Sequence, residues 1–191
     1  MALDFNSLKA YLLSLGTSNI AHTNGDFLSH LVGVYHYLEQ WGCSERVMLA
    51  GLFHSLYGTQ AFQNFSLSKE NRHEIRALIG ESAERLVFIY CAMTYKSMRA
   101  SVLSDGKPQL WDRFSDRPLD VTEQEFTDIL WIKLADILEQ EARLNDSEKS
   151  LKYAGFWHFV AKQLGVAAVE GWNQVYGNCE LDMKDSLTGT M

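Results

Sequence analysis

The sequence predicts an all-α protein built as one helical bundle, and three observations carry that expectation. Apolar residues recur at three- and four-residue spacing along most of the chain, which places them on one face of successive helices. The breaks between these runs hold the capping residues that helices use. Only two prolines occur in 191 residues, and both fall in one stretch, at Pro108 and Pro118.

The elements follow in order. Leu8, Tyr11, Leu12 and Leu15 define a first helix over 7–15 that Gly16 is placed to end. Residues 17–25 are polar and read as a loop holding His22. Phe27, Leu31, Val34 and Leu38 share one face of a second helix over 26–41, closed by Gly42. Ser44 is an N-cap for a third helix reaching about Leu56, and the small residues Ala50 and Gly51 in it admit a close neighbour. Residues 57–70 read as loop. Helices follow over 71–79 and 82–95, broken by Gly80, with Glu81 and Glu84 as carboxylates at a helix start. The stretch 104–121 contains Gly106 and both prolines, and suits a small hairpin or a lid. Thr122 with Glu125 three residues on is a capping-box pattern opening a long helix to about Leu144. Helices near 148–164 and 166–175 complete one domain over 1–178, leaving 179–191 as a C-terminal tail.

Composition excludes several classes of function. With 47% hydrophobic and 12% aromatic residues the chain has enough apolar surface to fold, so disorder is excluded. Its 17 basic and 24 acidic side chains give a net charge of −7, which argues against a nucleic-acid binder needing a basic face. A small anionic substrate stays compatible, since one ion or a few local cations suffice to hold it. No stretch has the ~20 apolar residues that span a bilayer. The start, Met1-Ala2-Leu3-Asp4-Phe5, lacks the basic-then-apolar order of a secretory signal, so a cytoplasmic protein without membrane contact is expected. Cys43, Cys91 and Cys179 are isolated and odd in number, which suits neither a disulfide framework nor a paired-cysteine metal site.

Chemistry concentrates on Asp136. Its helix is apolar almost all round, through Ile129, Leu130, Ile132, Leu134, Ile137 and Leu138, and a carboxylate there is costly unless paired or bound to a metal. Lys133 is expected to point about 100° away from it and not to pair with it. His30, on the stripe of Phe27 and Val34, and His54, between Leu52-Phe53 and Leu56-Tyr57, lie in similarly apolar settings. Two imidazoles and one carboxylate on three helices make a metal set suited to Fe(II), Mn(II) or Zn(II). A direct, metal-free His–Asp hydrogen bond is the competing reading of the same residues.

The order of these segments adds a resemblance. F-L-S-H-L-V-G-V-Y-H-Y-L at 27–38 is followed by A-G-L-F-H-S at 50–55, I-G-E-S-A-E-R-L-V at 79–87 and W-I-K-L-A-D-I-L at 131–138. Together they resemble the HD superfamily of metal-dependent phosphohydrolases, most of all its RelA/SpoT-type (p)ppGpp hydrolase branch, across residues 20–140. The resemblance implies an HD-like helical bundle, a divalent metal held by His30, His54 and Asp136, and hydrolysis of a phosphate ester or nucleotide-like small molecule. It also implies departures. Ser55 stands where the family has the aspartate that bridges two metals, so a mononuclear site is expected. Gly58 and Thr59 stand where the hydrolase has its Glu-Asp pair. Gln140 replaces an asparagine, and Asn19 and Ile20 lie where a basic pair is expected. These changes argue against (p)ppGpp hydrolysis itself. Two other outcomes fit the same pattern: a ligand-binding protein that has lost hydrolysis, and an iron-dependent oxygenase on the same fold.

Further candidates complete the site. His22, eight residues before His30, is read as an extra ligand, proton shuttle or phosphate contact, against a turn-capping role. Tyr57 and Thr59 follow His54 and are candidates for the cavity mouth. Lys96, Arg99 and Arg113 are candidate contacts for an anionic substrate, with Gln140 beside them. His36, His73 and His158 are expected to be structural or superficial, and Phe156, Trp157 and Trp172 to belong to the core.

Overall fold

In the computed structural model, which describes residues 4–144 and 151–177, helices dominate and the fold is all-α. The expected tail from 179 onward, with Cys179, lies outside the described residues. α1 (Phe5–Ser14) leads through a short 3-10 turn into a two-residue hairpin, β1 (Ala21–His22) and β2 (Gly25–Asp26), where a plain loop was expected. α2 (Phe27–Gln40) starts at an Asp26 N-cap whose carboxylate accepts from the Ser29 amide. Gly42 follows it at φ 69°, as the sequence predicted. α3 (Glu45–Phe53) packs on α2 through Gly51, whose missing side chain makes room for Leu38 and Val34. It stops at Phe53, not Leu56, so that His54 caps the helix instead of lying within it.

α4 (Arg72–Ile79) and α5 (Glu81–Ala92) flank Gly80. The helix expected to run to Tyr95 ends at Ala92, and a separate α6 (Tyr95–Val102) begins behind a Thr94 N-cap. The break has a tertiary cause. A hairpin of β3 (Leu110–Asp112) and β4 (Arg117–Leu119) reaches in: Met93 bridges Asp112, the Thr94 amide donates to the Trp111 carbonyl, and the Arg113 amide donates to the Ala92 carbonyl. Arg113 itself is anchored here, its guanidinium donating to the carbonyls of Cys91 (2.8 Å) and Gly58 (2.7 Å), and it does not line the cavity described below.

α7 (Glu123–Glu141) opens with the expected capping box and is the axis of the bundle, touching α2, α3, α5, α8 (Leu151–Leu164) and α9 (Val166–Tyr176). Enclosure by five helices buries almost every face of α7, so its polar residues Asp128, Lys133, Asp136, Glu139 and Glu141 are buried with its apolar ones. Phe156, Trp157 and Trp172 are in the core as expected. No helix among the described residues is long and apolar enough to cross a membrane.

Candidate metal centre and cavity

Three elements deliver the site. α2 carries His30 on its buried face, the end of α3 turns His54 inward, and the middle of α7 supplies Asp136. Relative exposures of 1%, 0% and 5% put all three out of bulk water. His30 Nε2 lies 3.2 Å from Asp136 Oδ1 and 3.3 Å from His54 Nε2, and His54 Nε2 lies 3.7 Å from the same carboxylate oxygen. The three atoms thus form a nearly equilateral triangle. Among the described residues it is the one cluster of His, Cys, Asp or Glu with metal-binding spacing.

The far sides of the rings determine what faces the triangle. His54 Nδ1 sits 2.7 Å from the Gly51 carbonyl, which can only accept, so Nδ1 carries the proton. His30 Nδ1 sits 2.5 Å from Glu139 Oε2, and Glu139 pairs with Arg143. A side chain at Gly33, one turn after His30, would run into Glu139, so this glycine leaves the carboxylate its place. With both Nδ1 atoms protonated and the rings neutral, their Nε2 lone pairs face each other and Asp136 Oδ1, so that three acceptors converge on one point; a further proton on His30, whose pKa the two carboxylates beside it raise, makes its Nε2 a donor.

The surroundings hold Asp136 ionised. Burial would raise its pKa, but the Lys133 ammonium and the two imidazoles outweigh that and keep it well below the ordinary value. Lys133 Nζ donates to Oδ2 at 2.7 Å, Tyr90 donates its hydroxyl to the same oxygen, and Gln140 Nε2 donates to Oδ1 at 2.6 Å. The expectation that Lys133 points away is therefore overturned. Three residues along a helix amount to nearly a full turn, which returns the side chain to the same face. Burial also lowers the His54 pKa, whereas for His30 the Asp136 and Glu139 carboxylates outweigh burial and raise it.

The first hairpin brings His22 to the same place. Its ring stacks on that of His30 with centroids 4.3 Å apart, while Thr23 donates to Gln140 and Asn24 to the Arg143 carbonyl, so that the hairpin is pinned to α7. Burial, reinforced by the neighbouring His30, depresses the His22 pKa to about 4 and keeps it neutral at pH 7. Beside the triangle opens a cavity of about 200 Å³, with His22, Ser55, Thr59, Lys133, Asp136 and Gln140 at its polar end.

Other candidates lie elsewhere. Tyr57 turns away from the cavity and donates to Glu84 at 3.0 Å. Lys96 is exposed, and Arg99 stacks over Phe156; neither lines the cavity. Gln140 lines it, but its amide is spent on Asp136 and Thr23, a role in holding the carboxylate. His36 and His73 are exposed, and His158 stacks on Trp172. Glu81 and Glu84 lie in the first turn of α5, as expected, but Glu84 does more than meet the helix dipole. It is fully buried and bound by Arg72, Arg76 and Tyr57. Sequence reasoning missed this role, and missed Glu139, although Arg72 and Arg76 four residues apart, and a carboxylate three residues after Asp136, were available signals.

Residues 11–94 match a family model described as a domain of unknown function (DUF6817). The match takes in His22, His30 and His54 and ends before α7, so Asp136 lies outside it. No curated protein and no solved structure matches the chain.

Proposed function

We propose that this protein is a mononuclear metal-dependent hydrolase of a small phosphate ester, related to the HD superfamily, with His30, His54 and Asp136 as the ligands of a divalent Mn, Fe or Zn ion. The observation that carries the reading is the convergence of three acceptors. One extra proton on His30 is shared between Asp136 Oδ1 at 3.2 Å and the His54 lone pair at 3.3 Å. A divalent cation satisfies all three at once. Their separations of 3.2–3.7 Å also suit neighbouring ligands on an ion with bonds of roughly 2–2.2 Å. Oxygen–nitrogen donors of this kind suit those three metals.

When bound, such an ion lowers the pKa of a coordinated water and polarises a phosphoryl oxygen. The chain supplies the rest. The Gly51 carbonyl and Glu139 hold both imidazoles in the tautomer that presents Nε2. Lys133, buried beside Asp136 and facing the cavity, supplies a positive charge for a phosphoryl oxygen. His22, neutral and at the cavity wall, is positioned to accept a hydrogen bond from the attacking water. No carboxylate stands at positions 58 and 59, where Gly58 gives its carbonyl to Arg113 and Thr59 Oγ1 accepts from the Phe62 amide. The free thiols Cys43 and Cys91, each with its pKa pushed up to about 12 mainly by burial, fit a reducing, cytoplasmic setting.

The test is elemental analysis of protein purified without chelators, beside the His54→Ala variant. About one divalent ion per chain is expected in the first and none in the second. An absence of metal from both would overturn the proposal in favour of a metal-free His–Asp hydrogen bond.

A further inference from the structure

The cavity beside the triangle constrains what the site can take, and the constraint rests on the metal reading above. Its volume of about 200 Å³ lies below the roughly 300–1,000 Å³ of pockets that enclose drug-sized ligands. It is nearer the cavity of about 150 Å³ that accepts a benzene molecule. One ring and one headgroup fill it.

The walls divide by chemistry. Away from the triangle they are mainly apolar, formed by Phe62, Met98, Ile137 and Trp157, with the rings of Tyr95 and Tyr153. At the triangle they are polar, and among the described residues Lys133 is the only lysine or arginine there. Charge can be counted on the same residues. A divalent ion, the Asp136 carboxylate and the Lys133 ammonium leave two net positive charges, while Glu139 and Arg143 cancel. Two charges balance one dianionic phosphate. They leave the second and third phosphates of a polyphosphate without a counter-charge, since among the described residues the lining offers no lysine or arginine beyond Lys133, and an uncompensated charge in such a pocket is costly.

We infer that the substrate is a phosphomonoester with a single phosphate and a compact, ring-sized apolar organic group, and not a nucleoside polyphosphate. The phosphate lies at the His30–His54–Asp136 end against Lys133, and the organic group lies against Phe62, Met98, Ile137 and Trp157. Size and charge act together: the wall selects the organic part and the ion–lysine pair counts the phosphates.

The experiment is isothermal titration calorimetry on the metal-loaded chain, its metal content measured first, with phenylphosphonate and ATP as probes. Phenylphosphonate is expected to bind at least tenfold more tightly than ATP. Ile137→Phe, which narrows the apolar wall and is to be checked for retained metal, is expected to weaken phenylphosphonate at least tenfold. ATP binding as tightly as phenylphosphonate, or an unchanged affinity in Ile137→Phe, would overturn the substrate class while the metal centre stands. A chain that takes up no metal would overturn the metal reading, and the charge count with it.

Discussion

Two of the carboxylates buried in this protein, Glu84 and Asp136, are buried in opposite ways. Glu84 meets a donor at every acceptor position: Arg72 at 2.6 and 3.0 Å, Arg76 at 2.9 Å and Tyr57 at 3.0 Å. Two guanidinium charges face one carboxylate, and the cluster closes on itself. Asp136 meets Lys133 and Tyr90 at Oδ2 and Gln140 at Oδ1, but Oδ1 also faces the Nε2 atoms of two imidazoles across a triangle beside a cavity. The first arrangement is complete, and the second is open at the place where a cation is proposed. Burial of a charge is therefore a poor sign of function, whereas unmatched acceptors converging on one point are a good one.

The comparison can be broken most severely at Asp136. Asp136→Asn keeps the shape and removes the charge, and metal content is expected to fall from about one ion per chain to background, with helical content by circular dichroism unchanged. Retention of metal would show that Asp136 is no ligand. At the closed cluster the effect should fall on stability instead. Glu84→Gln leaves two guanidinium groups without their counter-charge, of which Arg76 is substantially exposed, so a loss of about 2–4 kcal/mol in urea unfolding is expected, with metal content intact. A joint loss of metal and stability would mean that the two regions are not independent.

The same cluster has a pH signature. Burial would raise the Glu84 pKa, but hydrogen bonds from Arg72 and Arg76 outweigh it and hold the value below 4.5. A carboxyl depressed in the folded state contributes stability that is fully present above about pH 4.5 and is lost as pH falls through its folded pKa. The stability gap between the native chain and Glu84→Gln should therefore be constant near neutrality and shrink in acid, which urea titrations from pH 7 to pH 3 would check. Glu139→Gln should weaken metal affinity about 10–100-fold, because it loosens the ring of His30 without removing a ligand; competition with a chelator measures this. Tyr57→Phe, which removes one donor of several from Glu84, should cost only about 1 kcal/mol.

Much of the bundle was legible because its cues are local. The Thr122–Glu125 capping box and the stripes of α2 and α7 belong to single segments, and the structure has them where periodicity placed them. The separate α6 was not legible, since no glycine or proline divides it from α5. The division comes from a hairpin that arrives later in the chain and pairs with Met93 and Thr94. The candidate ligands His30, His54 and Asp136 could be singled out as polar groups on apolar faces. The groups that orient them were harder to see. Glu139 and Lys133 lie on a helix enclosed on nearly all sides, where the usual inference from polar residue to exposed residue fails. Tyr57 shows the opposite error: adjacency to His54 suggested the cavity, but the turn after α3 sends its ring toward Glu84.

Gly33 shows how tightly these layers are bound together. A glycine inside a helix gives up roughly 1 kcal/mol of propensity relative to alanine, and α2 accepts that loss one turn after His30, where an alanine methyl would meet the Glu139 carboxylate. The position thus sets helix strength against the orientation of a histidine. A search for a more heat-resistant form of this chain that admitted alanine at 33 would gain a firmer helix and lose the carboxylate's hold on the imidazole. Robustness and chemistry compete there for the space of a single methyl group.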